Sequence, residues 1–481
     1  MTIVLALFLL LSIIAPWVAR RIGASVFYLL AALPALVLAF VLTKTQSILG
    51  GTPWSESYQW IPELNLELTF RMDTLSWVMS LLVLGIGSLV LFYCASYFKH
   101  SNGDIGQFAA YLFGFAGAMF GLITADNFII MFIFWEITTI LSYLLIGYSR
   151  HRLSARSSAL QALTVTTAGG LAMLVGIIML GHSLGTYSLA ELVERGPALV
   201  AAAQAGDNNT MSLGLLSAAL VLILCGALSK SAIFPLHFWL PGAMAAPTPV
   251  SAYLHAAAMV KAGIYLLLRL APGYGEVAIW QNILVIFGAF TMIFGGWAAL
   301  KQTDLKLILA YGTVSQLGFL TLIISGGTPN AIYAAMAMML AHSLFKATLF
   351  LAVGIIDHQS GTRDIRRLSG IYRRAPKLFW VSLISAASMA GAPPLAGFVA
   401  KEAVLETYVG HTTGWQSAVT LAAIVLGSVL TFAYSARFVW GAFAAKPYSY
   451  INHEHVKYCQ ESADGGRPAA RLPCAARAVK S

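Results

Sequence analysis

The sequence predicts an all-α polytopic membrane protein with about thirteen transmembrane helices, and three observations predict it. Of 481 residues, 59% are hydrophobic and only 10% are charged, where a water-soluble chain carries about a quarter charged residues. Apolar runs near 20 residues long, enough to cross a bilayer as a helix, recur along the whole chain. The polar breaks between them alternate between basic and acidic, the pattern expected of loops on opposite sides of a membrane.

Taken in order, the apolar runs cover about 2–19, 25–43, 74–97, 107–125, 127–148, 159–182, 211–238, 248–271, 280–300, 305–325, 331–356, 378–404 and 416–443. The first is not a secretory signal, because Arg20 and Arg21 follow it instead of preceding it. One set of loops holds Arg20 and Arg21, Lys99, Arg150, Arg152 and Arg156, Lys301, and a cluster from Arg363 to Lys377. The other holds Lys44, Arg71, Arg195 and Arg269 with Glu56, Glu63, Glu67, Glu191, Glu194 and Asp207. Basic loops face the cytoplasm, so the N-terminus is expected outside.

The formal net charge of +10 therefore reflects basic cytoplasmic loops and not a nucleic-acid partner. Cys94 and Cys225 lie in apolar runs, Cys459 and Cys474 near the C-terminal end. Neither a CxxC pair nor a Cys/His cluster occurs, so no metal site or disulfide framework is expected. Rossmann glycines, a haem motif and cluster-binding cysteines are absent too, so no cofactor is expected.

Residues 127–148, "NFIIMFIFWEITTILSYLLIGY", hold Glu136 near their centre. A carboxylate at that depth costs at least about 2.5 kcal/mol and is by default functional. Four further runs contain ionisable residues away from loops: Lys230; His255 and Lys261; His342 and Lys346; Lys401 and Glu402. Each has a bland alternative, a helix-end snorkel or a structural hydrogen bond. That alternative is strongest for Lys401, near the end of its run, and for His255. His342 and Lys346 are four apart and share a helix face. His255 and Lys261 are six apart, so a third group or water has to connect them. Desolvation disfavours a charged lysine and a nearby carboxylate favours it, so a Glu136 close by would let such a lysine alternate between two protonation states.

Two helices are expected to be broken. Pro235 follows Lys230 by five residues, and "GAPPLAG" sets Pro393 and Pro394 just before Lys401. Backbone freed by proline survives at membrane depth only where protein or a water-filled cavity satisfies it. Two such breaks, each beside a lysine and five spans apart, point to a transporter with internal repeats. The chain then divides into N-terminal helices (1–106), a first five-helix unit (107–271), a second, inverted one (272–445) and a polar tail (446–481). The tail has no helical period. It reads as a disordered cytoplasmic tail or as the product of a truncated or frame-shifted reading frame.

Several stretches resemble the proton-antiporter family, shared by antiporter-like membrane subunits of respiratory complex I and by Mrp-type multisubunit Na⁺/H⁺ antiporters. They are "FRMDTLSW", "TADNFIIMFIFWEITTILSYLLIGY", "KSAIFPLHFWLPGAMAAPTPVSAYLHAAAMVKAGIYLLLRL", "DLKLILAYGTVSQLGF", "AHSLFKATLFLAVG" and "GAPPLAGFVAKE". "GYSRHRLSARSSALQALTVTTAGGLAML" and "WIPELNLELTFRMDTLSW" are more similar to the large, A-type component of the Mrp complex. The resemblance implies a Glu136–Lys230 charge pair and a proton route through Lys261, His255, His342 and Lys346 to Lys401. It also implies partner antiporter subunits, a monovalent cation (Na⁺ first) and a bacterial cytoplasmic membrane. It fades after "RFVWGAFAAKP", although the large Mrp component continues. The alternatives are a proton-pumping subunit of complex I or of a membrane-bound hydrogenase, and an inactive fragment.

Overall fold

The computed structural model describes residues 1–61, 66–99, 104–149, 152–206, 211–409 and 414–446. The expectations for the tail beyond Lys446, for Arg150, Glu63 and Asp207, and for Cys459 and Cys474 lie outside the described residues. The described chain is a helical bundle. Its helices are α1 (Thr2–Ile22), α2 (Val26–Thr43), α3 (Thr74–Tyr97), α4 (Ile105–Thr124), α5 (Phe128–Ile146), α6 (Leu153–Leu184), α7 (Leu189–Ala205) and α8 (Leu213–Lys230). They continue with α9 (Thr248–Tyr274), α10 (Ala278–Lys301), α11 (Leu305–Ile324), α12 (Pro329–Ser360), α13 (Pro376–Ala390), α14 (Ala396–Tyr408) and α15 (Trp415–Phe443). One antiparallel hairpin, β1 (Trp54–Ile61) and β2 (Leu66–Met72), precedes α3; the sequence reading places no strand there.

Eleven stretches among the described residues are long and apolar enough to cross a membrane. The first, Thr2–Thr43, is divided by a turn at Gly23–Ser25 into α1 and α2. The pair α13 and α14 is too short, piece by piece, to be one of the eleven. Outward faces carry Leu9, Leu36, Leu171, Trp297, Val429 and Phe432, as a lipid-facing surface requires. In contrast, α9 is buried almost throughout and forms the centre of the bundle.

Polar caps fix where helices start. Asp73 accepts from Ser76 N at 3.0 Å, and Asn127 and Asp304 each accept from the second and third amides of α5 and α11. The last two caps belong to matching junctions. Asn127 bridges Ser188 and Asp304 bridges Asp364 as isolated antiparallel pairs. The bonds correspond one for one: Phe128 N to Tyr187 O (2.8 Å) and Leu189 N to Asp126 O (2.6 Å), against Leu305 N to Arg363 O (3.0 Å) and Ile365 N to Thr303 O (2.9 Å). In both places the intervening 32-residue helix, α6 or α12, ends on a left-handed glycine, Gly185 or Gly361, a conformation that costs glycine nothing.

Several boundaries differ from the sequence reading. The seventh run does not continue to 238: α8 ends at Lys230, and Pro235 lies in the turn that follows, not inside a helix. That turn is held by Trp239 Nε1 donating to Ser229 O (3.0 Å) and Phe234 N donating to Thr291 Oγ1 (3.0 Å). The eighth run is itself interrupted. Residues 251–255 form a π-turn, and regular helix resumes only at Met259. At the "GAPPLAG" stretch the break falls where the prolines and glycines put it, with α13 ending at Ala390 and Gly397 N capped by Ser388 Oγ.

Candidate functional site

Lys230, Lys261, Lys306 and Lys401 sit where helices stop, start or open, while Lys346 lies within α12. Lys230 is the last residue of α8 and is fully buried. Its Nζ donates to Trp135 O (2.7 Å), Thr138 Oγ1 (2.6 Å) and Thr139 Oγ1 (3.1 Å), and lies 4.4 Å from the Trp135 ring centroid. Both threonine hydroxyls donate to the same Trp135 carbonyl, so their lone pairs are what face the ammonium. All three acceptors belong to α5, the helix of Glu136.

The expected direct pair is not made in this conformation. Glu136 is half-buried, its Oε1 has no hydrogen-bond partner, and no ion pair joins it to Lys230. The residues of α5 that hold the lysine are Trp135, next to Glu136, and Thr138 and Thr139, two and three residues after it. Glu136 instead lies against Gly170 of α6, where a Cβ would collide with its Oε1.

Lys261 of α9 reaches across to α12. Its Nζ contacts His342 Nδ1 at 2.7 Å and donates to Ser343 Oγ at 2.9 Å and Ala256 O at 2.8 Å. The Ala256 carbonyl is available because α9 is interrupted there. Lys261 thus joins α9 to α12. His342 shares a face with Lys346 as expected but turns Nδ1 to Lys261, while Nε2 is buried without a partner.

Lys346 donates to Leu309 O (3.1 Å) and lies 5.6 Å from the Tyr434 ring centroid. Beyond it, Gln316 Nε2 donates to Thr431 Oγ1 at 3.2 Å. Lys401 stands apart from the rest and caps the broken helix, donating to Met389 O (3.2 Å) and Ala390 O (3.1 Å) at the end of α13.

His255 is fully buried and neither ring nitrogen has a hydrogen-bond partner. Its charged neighbour is not Lys261 but Lys306 of α11. Lys306, 2% exposed, donates to Ala246 O at 2.8 Å. The sequence reading misses it because it sits two residues after the Asp304 cap and so looks like a loop charge. It also misses Thr138, Thr139 and Ser343, whose hydroxyls are ordinary in any apolar helix.

Two pockets lie at the ends of this array. One, about 420 Å³, is lined by Arg71, Asp73, Asp126, Glu194, Arg269 and Tyr333 among others. The other, about 400 Å³, is lined by Arg152, Asp304, Asp357, Arg363 and Asp364. Helix α12 starts at the first and ends at the second; 32 residues of α-helix span about 48 Å. Asp73 and Asp126 both face the first pocket but are engaged. Asp73 forms a bidentate pair with Arg269, and Asp126 accepts from Ser188 Oγ (2.8 Å) and Ala190 N (3.2 Å).

Comparison with known proteins matches this arrangement to a family. Residues 125–431 match the family described as NADH:quinone oxidoreductase/Mrp antiporter, transmembrane. The chain belongs to that family. Residues 59–109 match the N-terminal region of complex I chain 5. The A/B component of a probable K⁺/H⁺ antiporter of Rhizobium meliloti is 44% identical over 81% of this chain and 38% of its own length. The A component of the Na⁺/H⁺ antiporter of Alkalihalophilus pseudofirmus is 40% identical over 82% of this chain and 49% of its own. The Mrp complex from Dietzia sp. superposes with a TM-score of 0.83 at 38% identity, over 94% of this chain and 48% of that one. An archaeal membrane-bound sulfane sulfur reductase shares the fold alone, with a TM-score of 0.79 at 21% identity. The chain spans about half the length, or less, of the curated relatives it matches.

Proposed function

We propose that this chain is the proton-carrying part of the large, A-type component of an Mrp-type multisubunit monovalent cation/H⁺ antiporter, and is not itself an enzyme. The observation that carries the reading is the Lys261–His342–Ser343 contact: an amine and an imidazole from two helices, fully buried, meeting beside a helix interruption. Such groups persist at membrane depth where they move an ion or a proton.

In this reading Glu136 and Lys230 form one station, Lys261 and His342 the next, and Lys346 and then Lys401 the last. Lys306 and His255 join the second pocket to the array. The two matching junctions support two inverted five-helix repeats, α4–α6 with α8–α9 and α10–α15, each with one broken helix. Thirteen crossings result when α1 and α2 count separately and α13 with α14 as one. The basic loops support an N-terminus outside, in a bacterial cytoplasmic membrane, which puts the first pocket outside and the second inside.

The partners are the other antiporter subunits, and the exchanged ion is Na⁺ in the first instance. Relatives named for the A component of antiporters favour this reading over a complex I or hydrogenase subunit. The test is Lys261→Ala in the complete complex. Exchange in everted vesicles is expected to vanish; wild-type exchange in an assembled variant refutes the assignment.

A further inference from the structure

We infer that Arg269, held in place by Asp73, is an electrostatic plug that closes the first pocket to protons and cations and so prevents Lys261 from discharging in that direction. The inference rests on the reading of Lys261 as a proton carrier.

Lys261, Tyr265 and Arg269 lie four residues apart in turn and share one face of α9. Asp73, Ser76 and Ser80 line the facing side of α3. Between them runs a column of polar groups. Arg269 donates to Ser76 Oγ (2.7 Å) and Tyr265 Oη (2.8 Å), and both hydroxyls donate to the Ile123 carbonyl (2.6 and 2.8 Å). Ser80 Oγ donates to Ser76 O at 2.7 Å. One helical turn below Tyr265, about 6 Å, is Lys261. Hydroxyls that rotate can pass a proton, taking one on oxygen and releasing their own, with no net change. The column therefore carries rotatable hydroxyls from the pocket to within one turn of α9 of the central lysine.

Its upper end is closed by a group that cannot relay. A guanidinium keeps its proton at any physiological pH, so Arg269 presents a fixed positive charge to whatever enters. The charged groups around it are Arg71, Asp73, Asp126 and Glu194. Asp126 is occupied by Ser188 and Ala190, and Asp73 by Arg269 itself. Arg269 Nε and Arg71 Nε are buried without partners, so neither guanidinium is fully matched by acceptors. An arginine that keeps its proton at the mouth of a hydroxyl column interrupts proton passage there. A plain staple between α3 and α9 would need the ion pair but not the hydroxyls lined up beneath it.

The test uses the complete multisubunit complex in proteoliposomes, with passive proton entry followed by a pH-sensitive dye. Arg269→Gln is expected to leak about tenfold faster than wild type, the effect of lowering a barrier by about 1.4 kcal/mol. Adding Lys261→Ala to Arg269→Gln is expected to abolish the leak. An assembled Arg269→Gln complex as tight as wild type overturns the inference, and so does a leak that survives Lys261→Ala. If Arg269→Gln fails to assemble, Arg269→His decides. It should be tight near about pH 5.5, where the imidazole is charged, and leaky near about pH 8; a leak that does not change with pH overturns the plug. Exchange retained by Lys261→Ala alone defeats the underlying reading instead, while exchange lost in that variant with a tight Arg269→Gln defeats only the plug.

Discussion

Replacing Thr138 by valine keeps the side-chain shape and removes one oxygen from the shell of Lys230. The ammonium has three oxygen acceptors, the shortest being Thr138 Oγ1 at 2.6 Å, and it is fully buried. A hydrogen bond to a charged group is worth about 1.5–3 kcal/mol. Losing one in a dry interior therefore raises the free energy of the ammonium form by about 2 kcal/mol, since no water replaces the missing acceptor. If transport passes through that form, the rate falls about thirtyfold. Thr139→Val, at 3.1 Å, should cost less, and the double variant more than either. Thr138→Ser keeps the oxygen and should stay within about twofold of wild type. The assay is the initial rate of cation-driven proton movement in everted vesicles, normalised to assembled complex. A Thr138→Val/Thr139→Val variant that exchanges at the wild-type rate would show that Lys230 is not charged at any rate-determining stage.

Other outcomes follow from single contacts. At Gly263 a Cβ would collide with the Ala227 carbonyl and with Ser231 Oγ; Gly263→Ala should destabilise by about 3 kcal/mol or more, read as a lower melting temperature of the detergent-purified chain. Lys401→Met leaves two terminal carbonyls of α13 without their donor; exchange should drop about tenfold and recover in part with Lys401→Arg. Burial opposes ionisation of the Asp73 carboxyl, but the charge and hydrogen bonds of Arg269 outweigh it and hold it at about 2, below its ordinary value of about 3.9. A depressed carboxyl contributes stability above its unfolded value and loses it as pH falls through its folded one. The contribution, about 2.6 kcal/mol at most, should therefore be intact above about pH 5 and fade towards about pH 2. Melting temperatures of wild type and Asp73→Asn should converge over that interval, and parallel curves would contradict the pair.

Much of this was legible because membrane burial makes charge conspicuous. Glu136, Lys230, Lys261, His342, Lys346 and Lys401 stand out against apolar neighbours, and "GAPPLAG" marks a break that proline chemistry requires. What the sequence conceals is which group touches which. The resemblance implies a Glu136–Lys230 pair, yet Lys230 is taken by two threonines and a carbonyl of α5 within three residues of Glu136. Lys306 is hidden because a helix that starts on an Asp cap carries its second residue into the interior with the backbone. The interruption after His255 is equally silent: "SAYLHAAAMV" has no proline or glycine to mark it. Pro235 deceived in the opposite sense, since the helix had already ended at Lys230.

The two capped junctions bear on how the array works. Each ties the start of one helix (α5 or α11) to the segment that follows the next helix (α6 or α12), and each borders a pocket at one end of α12. They are alike in backbone but differ in side chains. At the first, Asp126 is spent on Ser188 and Ala190, and an Arg269–Asp73 pair forms the floor. At the second, Arg363 is shared between Asp304 (3.1 Å) and Asp357 (4.0 Å), and Lys306 stands behind them. A lysine can release its proton and an arginine cannot. Both pockets thus carry guanidinium groups, but the second has a buried lysine, Lys306, behind them and the first is floored by the Arg269–Asp73 pair. That difference, and not the fold, is what would give the two ends of the route opposite permissions.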